Sequence, residues 1–361
     1  MRKNERVIFL SQMQGESKLN FLEATGIIVG HGVGAGILSV PYLASHNSIR
    51  ETVFILIFAY LVALVLHLII AELSYNNNGA QFVKCFDSEL FAGKIKTVLT
   101  WTAFILLGVS VIFNVSAFLT GAAAVFAQWF GLPDFVGILV FYVLGASVVF
   151  VGMKLVGICE KYAVIAMVVV MGVIFVATLM RGTEALPTGW RGFNNALALF
   201  GMISFSLSAV MSTPQVVKGL GGDVSEEGAF VDLARRFGGW VAVVGYMFTL
   251  LALATSFWAN TLNLRDIVSE QTGWGRRLSW LIASLPCLVL AMLGLDSFVG
   301  FTRFASIIQV VTGIGIIVAY NCSRRRVGKS PICGVFGSLP FQILVVAFTL
   351  LASVGAVMKV G

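Results

Sequence analysis

The sequence predicts an all-α integral membrane protein, because it is too apolar for a water-soluble globule and its apolar runs recur at spanning length. Of the 361 residues, 58% are hydrophobic and 11% are charged, whereas soluble domains average about 45–50% and about 25%. A membrane-spanning helix needs about 20 mostly apolar residues. Windows of that kind predict ten spans, at approximately 20–45, 52–74, 97–129, 134–152, 159–180, 194–217, 237–260, 278–295, 298–320 and 335–358.

The segments outside these spans are short. The first 19 residues are polar and charged, unlike a cleaved signal peptide, so we expect 1–19 to be a retained cytoplasmic N-terminus of a cell-membrane protein. The spans leave no length for a soluble domain, and 1–361 is therefore predicted to be one transmembrane domain. The stretch 79–96 mixes charges with Phe82, Phe86 and Phe91, which predicts an amphipathic interfacial helix.

The charge and the cysteines argue against other classes of protein. The net charge is +7, but the basic residues lie singly or in small groups between apolar runs, where they indicate orientation rather than nucleic-acid binding. The five cysteines are far apart and the three histidines add no metal-type spacing. The polar loops contain no nucleophile with a base and no carboxylate pair. We therefore expect neither an enzyme nor a bound metal cofactor.

The distribution of Lys and Arg predicts the orientation, since short cytoplasmic loops carry the excess. With the N-terminus inside, the first six spans place twelve of these residues inside and three outside. Ten consecutive crossings would then put most basic residues of the second half outside, whereas reversing that half leaves only Arg303 and Lys359 there. The Lys and Arg distribution therefore predicts that the number of membrane crossings differs by one from the ten regular crossings, and that the difference arises between Lys218 and Gly238. We call this difference the change in parity. The residues that the reversal moves inside are Arg265, Arg276, Arg277, Arg324, Arg325, Arg326 and Lys329.

Glycines interrupt the first predicted span. The stretch GHGVGAGILSVP places Gly30, Gly32, Gly34 and Gly36 ahead of Pro41, and each glycine costs a helix roughly 1 kcal/mol relative to alanine. An unwound segment persists at membrane depth where its freed amides and carbonyls meet a cavity, a ligand or an ion. The glycines could instead be small surfaces for helix packing. Their density and the adjoining proline favour unwinding.

Hydroxyl-bearing residues interrupt two later spans. In FGMISFSLSAVMSTPQVVKGL, Pro214 removes a backbone donor and favours a second discontinuity, although the serines could simply bond their own backbone four residues back. In LALATSFWAN, the hydroxyls of Thr255 and Ser256 and the carbonyl of Ala252 would suit a small hard cation.

Of the ionisable side chains that fall in predicted spans, three bear on the function. His31 lies in the glycine run and is either proton-responsive or simply a polar residue that faces the cavity. Glu72, near the end of the second span, is either proton-linked or a helix-end charge at the interface. Glu160, at the start of the fifth span, is interpreted as an interface marker.

The segments GVGAGILSVPYLA, SFSLSAVMSTPQVV and LLALATSFWANTLNLRD together resemble the amino acid, polyamine and organocation superfamily, in its amino acid and auxin permease-like branch. That branch includes aromatic amino acid and serine permeases, and the resemblance runs through most of the chain. It implies a LeuT-type fold of two inverted repeats, at 20–180 and 194–361, with broken first and sixth spans around the substrate. It also implies an ion-coupled symporter that moves an amino acid by alternating access.

Carried over by position, the resemblance implies two sets of binding residues. Those for the amino acid are Val33, Gly34, Ala35, Gly36, Ile37, Phe205, Ser206, Leu207 and Ser208. Those for the coupling ion, either Na+ or H+, are Gly30, Val33, Ala252, Thr255 and Ser256.

Residues 218–240 depart from the family pattern. The family has another span after the sixth, but GLGGDVSEEGAFVDLARRFGG is too polar to cross a bilayer, so the seventh span is predicted to be missing from the second repeat. The change in charge parity falls at the same place. The alternatives to a working transporter are therefore a non-transporting amino acid sensor or receptor subunit on the same fold, or an internally deleted permease.

Overall fold

A computed structural model describes residues 19–33, 40–181, 188–209, 212, 214, 239–295, 298–328 and 332–355. Within these ranges the chain forms α-helices and one 3₁₀ turn, Gly334–Gly337, and none of the described residues forms a strand. The α-helices are α1 Phe21–Val33, α2 Val40–Ser45, α3 Ile49–Asn76, α4 Phe82–Glu89, α5 Lys96–Phe130, α6 Asp134–Val151, α7 Met153–Arg181, α8 Phe193–Ser206, α9 Gly239–Thr272, α10 Arg276–Met292, α11 Phe298–Val327 and α12 Leu339–Gly355.

The helices have the length and outer surface of a membrane protein. Among the described residues, α3, α5, α6 and α7 are long and apolar enough to cross a bilayer, and α8 and α12 are shorter apolar helices. Large apolar side chains point outward, including Phe54 at 70% exposure and Phe175 at 64%. Contiguous apolar surface of this kind is unfavourable in water and suited to lipid. The all-α membrane class predicted from the sequence is confirmed.

Reciprocal side-chain caps fix the starts of α1 and α3. The Glu23 amide donates to Asn20 Oδ1 at 2.8 Å, and the Asn20 amide donates to Glu23 Oε2 at 2.9 Å. Ser48 and Glu51 form the same arrangement ahead of α3. These pairs satisfy amides that have no partner in the first turn of a helix.

Helix α7 begins at Met153, six positions before the predicted start of the fifth span. Gly152, with φ 128°, is the single residue between α6 and α7, and that region of backbone space is open to glycine. Glu160 therefore lies about two turns inside a helix, and not at its first turn as the sequence indicated.

Helix α9 continues to Thr272, well beyond the predicted end at residue 260. Its polar end is satisfied by the protein: Asn263 Nδ2 donates to Gln81 Oε1 at 3.0 Å, and the buried Arg265 pairs with Asp266 at 2.6 Å. An apolar sequence window ends the span too early, because it does not account for polar residues whose partners lie elsewhere in the protein.

One of the two predicted discontinuities coincides with a helix end among the described residues. The described part of α1 reaches Val33 and that of α2 starts at Val40, and the predicted discontinuity between them, at residues 34–39, lies outside the described ranges. Helix α8 ends at Ser206, inside the predicted span 194–217, and residues 207–209 are not helical. The segment 218–238, where a missing span is predicted, also lies outside the described ranges.

The predicted interfacial helix is present as α4, shorter than the stretch 79–96. Its apolar side chains Phe82 and Phe86 are 1% and 5% exposed and belong to the main apolar core with residues of α5 and α11. The amphipathic pattern therefore reflects burial against protein.

Polar contacts show which helix ends share a face of the bundle. Arg326, at the end of α11, forms an ion pair with Glu89 of α4. The Gln81 amide, just before α4, donates to Glu270 near the end of α9 at 3.0 Å. We call the side that carries α4 and the ends of α9 and α11 the basic face, because Lys84 and Arg324–Arg326 lie there.

The start of α8 lies on the opposite face. The Arg191 amide, just before α8, donates to Glu51 Oε1 at the start of α3 at 3.1 Å, and α3 ends at Asn76 beside Arg326. Helix α8 therefore runs toward the basic face, and so does α9. Two consecutive described helices with the same direction agree with the predicted reversal of the second half of the chain.

Candidate substrate and ion site

Glycines allow α1 to approach α7 and α9 closely. A Cβ built on Gly26 would lie 2.7 Å from the backbone nitrogen of Lys161 in α7. One built on Gly30 would lie 3.0 Å from Thr255 Cβ in α9 and 3.3 Å from Glu160 Oε2 in α7. The packing role that the sequence left open therefore applies to Gly30, which lies where three helices meet.

Four of the five residues predicted to bind the coupling ion lie at this α1–α9 contact. Gly30 packs against Thr255, whose Oγ1 donates to Ala252 O at 3.0 Å. Ser256 Oγ is buried and has no hydrogen-bond partner among the described residues. The side chain of Val33, the fifth residue, lies outside the described part of the chain. Ion binding here stays a prediction.

Glu160 is the residue at this contact that the sequence reading assigned to an interface. Its side chain is fully buried, and neither carboxylate oxygen has a hydrogen-bond partner in the described part of the chain. It is the sole carboxylate between Met153 and Ala177, the apolar window of α7. That isolation in the sequence was a signal, but the predicted start at residue 159 made it look like a helix-end charge.

His31 connects α1 to two other parts of the molecule. Its Nδ1 lies 2.5 Å from Ser212 Oγ, beyond the end of α8, and its Nε2 lies 3.2 Å from Asn260 Nδ2 in α9. The same Nδ2 donates to Ser256 O at 2.9 Å, which fixes the orientation of the amide because a carbonyl only accepts. Nε2 therefore accepts, and Nδ1–H donates to Ser212, so the ring is neutral in this arrangement.

The residues predicted to bind the amino acid are described only in part. Ser206 and Leu207 are buried and Ser208 is half-buried at the end of α8. Ser206 Oγ donates to Met202 O at 2.8 Å, which is the local backbone bond that the sequence left as an alternative. The side chain of Phe205 and the whole of residues 34–37 lie outside the described residues, so their predicted contacts with an amino acid stay predictions.

Glu72 lies apart from these residues and is fully buried rather than at an interface. Its Oε1 accepts from Tyr320 OH at 3.2 Å, and its Oε2 accepts from the amides of Ile332 at 3.0 Å and Cys333 at 2.8 Å. Burial, together with the charge of Glu72, raises the pKa of the Cys333 thiol to about 12. The carboxylate thus holds the segment after α11, and its predicted link to protons stays a prediction.

The sequence comparison decides the family. A model of the tryptophan/tyrosine permease family matches residues 17–225, which is more than half of the chain and includes α1 to α8. The chain belongs to the tryptophan/tyrosine permease family. No curated protein sequence matches the permease significantly.

Solved structures support the fold of the permease. It is similar to MhsT, a LeuT-fold transporter solved in complex with L-phenylalanine, with a TM-score of 0.62 and 12% identity over 94% of this chain and 100% of that chain. The LeuT-type fold implied by the motifs is confirmed. The branch of the superfamily and the missing seventh span stay predictions.

Proposed function

We propose that this permease is a secondary active transporter that moves an aromatic amino acid across the cell membrane by alternating access, coupled to Na+ or H+. Membership of the tryptophan/tyrosine permease family supports the substrate class. The observation that carries the proposal is the pair of hydrogen bonds in which His31 donates to Ser212 and accepts from Asn260. These bonds join α1, from the first predicted broken span, to Ser212, which follows α8 in the other predicted broken span. The contact is a buried polar position within an apolar bundle.

This arrangement suits the recognition of a zwitterion. Amides freed at the ends of helices attract a carboxylate, and carbonyls accept from an ammonium group. In the proposed mechanism, the backbone of 33–37 binds the carboxylate, and residues 205–208 contact the amino group and the side chain. The activity is translocation, so we propose no catalytic residue and no cofactor other than the coupling ion.

Uptake by purified permease in proteoliposomes tests the proposal. Labelled tryptophan and tyrosine should accumulate against their gradient when a Na+ or H+ gradient is imposed, and a charged amino acid such as lysine should not. Protein-free liposomes provide the control for leak. The absence of uptake of both aromatic amino acids under either gradient would contradict transport.

The same direction of α8 and α9 favours one second candidate, an amino acid sensor that binds without transporting. Only the polar stretch 218–238 separates the sixth span from α9, and a bundle that lacks one moving helix could retain its binding site. Equilibrium binding of tryptophan in detergent, measured beside uptake, separates the two functions. Saturable binding without uptake would favour the sensor or an internally deleted permease.

A further inference from the structure

We propose that Glu160 is the proton-binding residue of this permease, located where α1, α7 and α9 meet. The proposal rests on the function above and deepens it by naming the coupling ion. The carboxyl group is buried between helices, and its Oε2 would lie 3.3 Å from a Cβ built on Gly30, one residue before His31.

The carboxyl group of Glu160 lacks what an ionised carboxylate needs in an apolar interior. Neither oxygen accepts a hydrogen bond within the described ranges. An isolated ionised group in such surroundings costs several kcal/mol or more and is avoided by neutralisation. The other described buried carboxylates of the bundle have donors: Glu23 has Lys154, Glu72 has two backbone amides, and Asp266 has Arg265. Glu160 is therefore most stable here when it carries a proton or contacts a cation.

The neighbouring oxygens favour a proton over a metal cation. The Thr255 hydroxyl already donates to Ala252 O, so two of the predicted cation ligands are bonded to each other. Gly30 lies in van der Waals contact with Thr255, which closes the space between α1 and α9. A hard cation requires several converging oxygen ligands, whereas a proton requires only one carboxylate oxygen.

The charged and titratable groups on the helices around Glu160 are few. On α1 they are His31 and Glu23, and Glu23 is paired with Lys154 of α7 at 2.6 Å. On α9 they are Tyr246, Arg265, Asp266 and Glu270; Arg265 pairs with Asp266, and Glu270 accepts from the Gln81 amide. Helix α6 carries Asp134, at its far end, and Tyr142, whose hydroxyl lies 3.1 Å from Ser284 Oγ. The flanking groups on α7 are Cys159, Lys161 and Tyr162, with Lys161 lying over the Tyr162 ring.

The position of Glu160 links its charge to the packing of α1. A neutral carboxyl group allows α1 to close against α7 and α9, as observed. Loss of the proton leaves a negative charge that must regain water, so the closed arrangement becomes less stable than one in which α1 has moved away. Each cycle would take a proton from water on one side of the membrane onto a carboxylate oxygen and return it to water on the other.

Glu160→Gln and Glu51→Gln form a matched pair of variants. Glutamine at 160 mimics the neutral carboxyl group in size and cannot titrate. Glutamine at 51 removes a carboxylate from the opposite end of the bundle while keeping a residue suited to the Ser48 capping box. Both variants and the unmodified permease are reconstituted in proteoliposomes, and tryptophan uptake is measured with an acid-outside gradient, with a sodium gradient and with neither.

The expected result is that an acid-outside gradient drives accumulation by the unmodified permease and by E51Q. In E160Q the accumulation should fall to the level seen without a gradient. Gradient-driven accumulation in E160Q equal to that of the unmodified permease would overturn the proposal. Accumulation that follows sodium and is lost in E160Q would also overturn it, in favour of a cation ligand.

A second measurement keeps the proposal testable if no variant transports. The unfolding temperature of the detergent-purified permease is followed from acid to alkaline pH. A fold that favours the neutral carboxyl group is most stable at low pH and loses that stability as pH rises, while E160Q should lack this loss. Equal pH dependence in both proteins would overturn the assignment of Glu160, independently of whether the permease transports.

Discussion

Arg326 at the end of α11 forms an ion pair with Glu89 of α4, and its guanidinium also donates to the Asn76 carbonyl at the end of α3 at 3.3 Å. Lys84 of α4 and the cluster Arg324–Arg326 therefore lie on one face of the bundle. Ten uninterrupted crossings would have separated them. The contact gives structural support to the change in parity that the Lys and Arg distribution predicted.

Cysteine labelling tests this topology. In a permease without native cysteines, single cysteines at Lys84 and Arg325, both exposed, should react with an impermeant maleimide from the same side of the membrane. A cysteine at the exposed Arg191 should react from the other side, because α8 starts on the opposite face. The side of each cysteine is measured by comparing its labelling in intact cells with that in inverted vesicles. Labelling of positions 84 and 325 from different sides would contradict a shared face.

Gly26→Ala should destabilise the contact between α1 and α7. The new methyl group would lie 2.7 Å from the backbone nitrogen and 2.9 Å from the Cα of Lys161, and backbone atoms cannot rotate away. Overpacking of this kind costs about 1–3 kcal/mol, which should appear as a lower unfolding temperature.

Gly172→Ala is the control for that substitution. Gly172 lies in α7, the helix that Gly26 packs against, but a Cβ there meets no heavy atom within 4 Å. The variant should unfold at the same temperature as the parent or slightly above it, since alanine favours a helix over glycine by about 1 kcal/mol. Equal losses in the two glycine variants would show that helix propensity, and not the contact, governs the effect.

His31→Ala should weaken tryptophan binding while leaving proton coupling in place. The ring bridges Ser212 and Asn260, so its loss leaves both polar groups without that partner and loosens α1 from the end of α8. Each of the two buried hydrogen bonds contributes about 1 kcal/mol, which predicts a Kd increase of roughly thirtyfold. Equilibrium binding and gradient-driven uptake provide the two readouts, and loss of pH dependence in His31→Ala with full binding would assign the proton to His31.

Cys333 should resist thiol reagents at neutral pH. Burial beside Glu72 raises its pKa to about 12, so the reactive thiolate is scarce, and labelling should accelerate as pH rises. Glu72→Ala removes the acceptor of the Ile332 and Cys333 amides. This variant should label roughly tenfold faster, because a charged hydrogen bond contributes about 1.5–3 kcal/mol.

The unmodified permease and Glu51→Gln are the references for that rate. Both should label slowly and equally, because Glu51 lies at the opposite face. A rate that Glu72→Ala does not change would mean that the segment after α11 is held by other contacts.

The apolar pattern of the chain predicted the membrane class and most helices within a few residues, because lipid selects for length and hydropathy. The pattern failed where polar residues are satisfied by other helices. Asn263 and Gln81 form a hydrogen bond although they lie 182 positions apart in the sequence, and a hydropathy window does not detect such a partner. Helix α9 was therefore predicted too short.

The sequence predicted only the residues of the candidate site that its motifs singled out. The motifs placed Gly30 and Thr255 in one set, and the structure brings them into contact. The predicted set did not include Glu160 or Asn260, because the roles of these residues arise from burial and from partners on other helices. Glu72 shows the converse, since its carboxyl group looked like an exposed helix end and is enclosed by Tyr320 and two amides.

The contact between Glu23 and Lys154 closes α1 against α7 at the basic face. The Glu23 side chain is 4% exposed and that of Lys154 is 38% exposed, so one partner can leave for water far more easily than the other. Separating the two helices at that end leaves the Glu23 carboxylate without the hydrogen bond from Lys154, which is already partly hydrated. Dissolved electrolyte screens such an attraction, so the ionic strength of the adjoining compartment should affect the strength of this contact between α1 and α7.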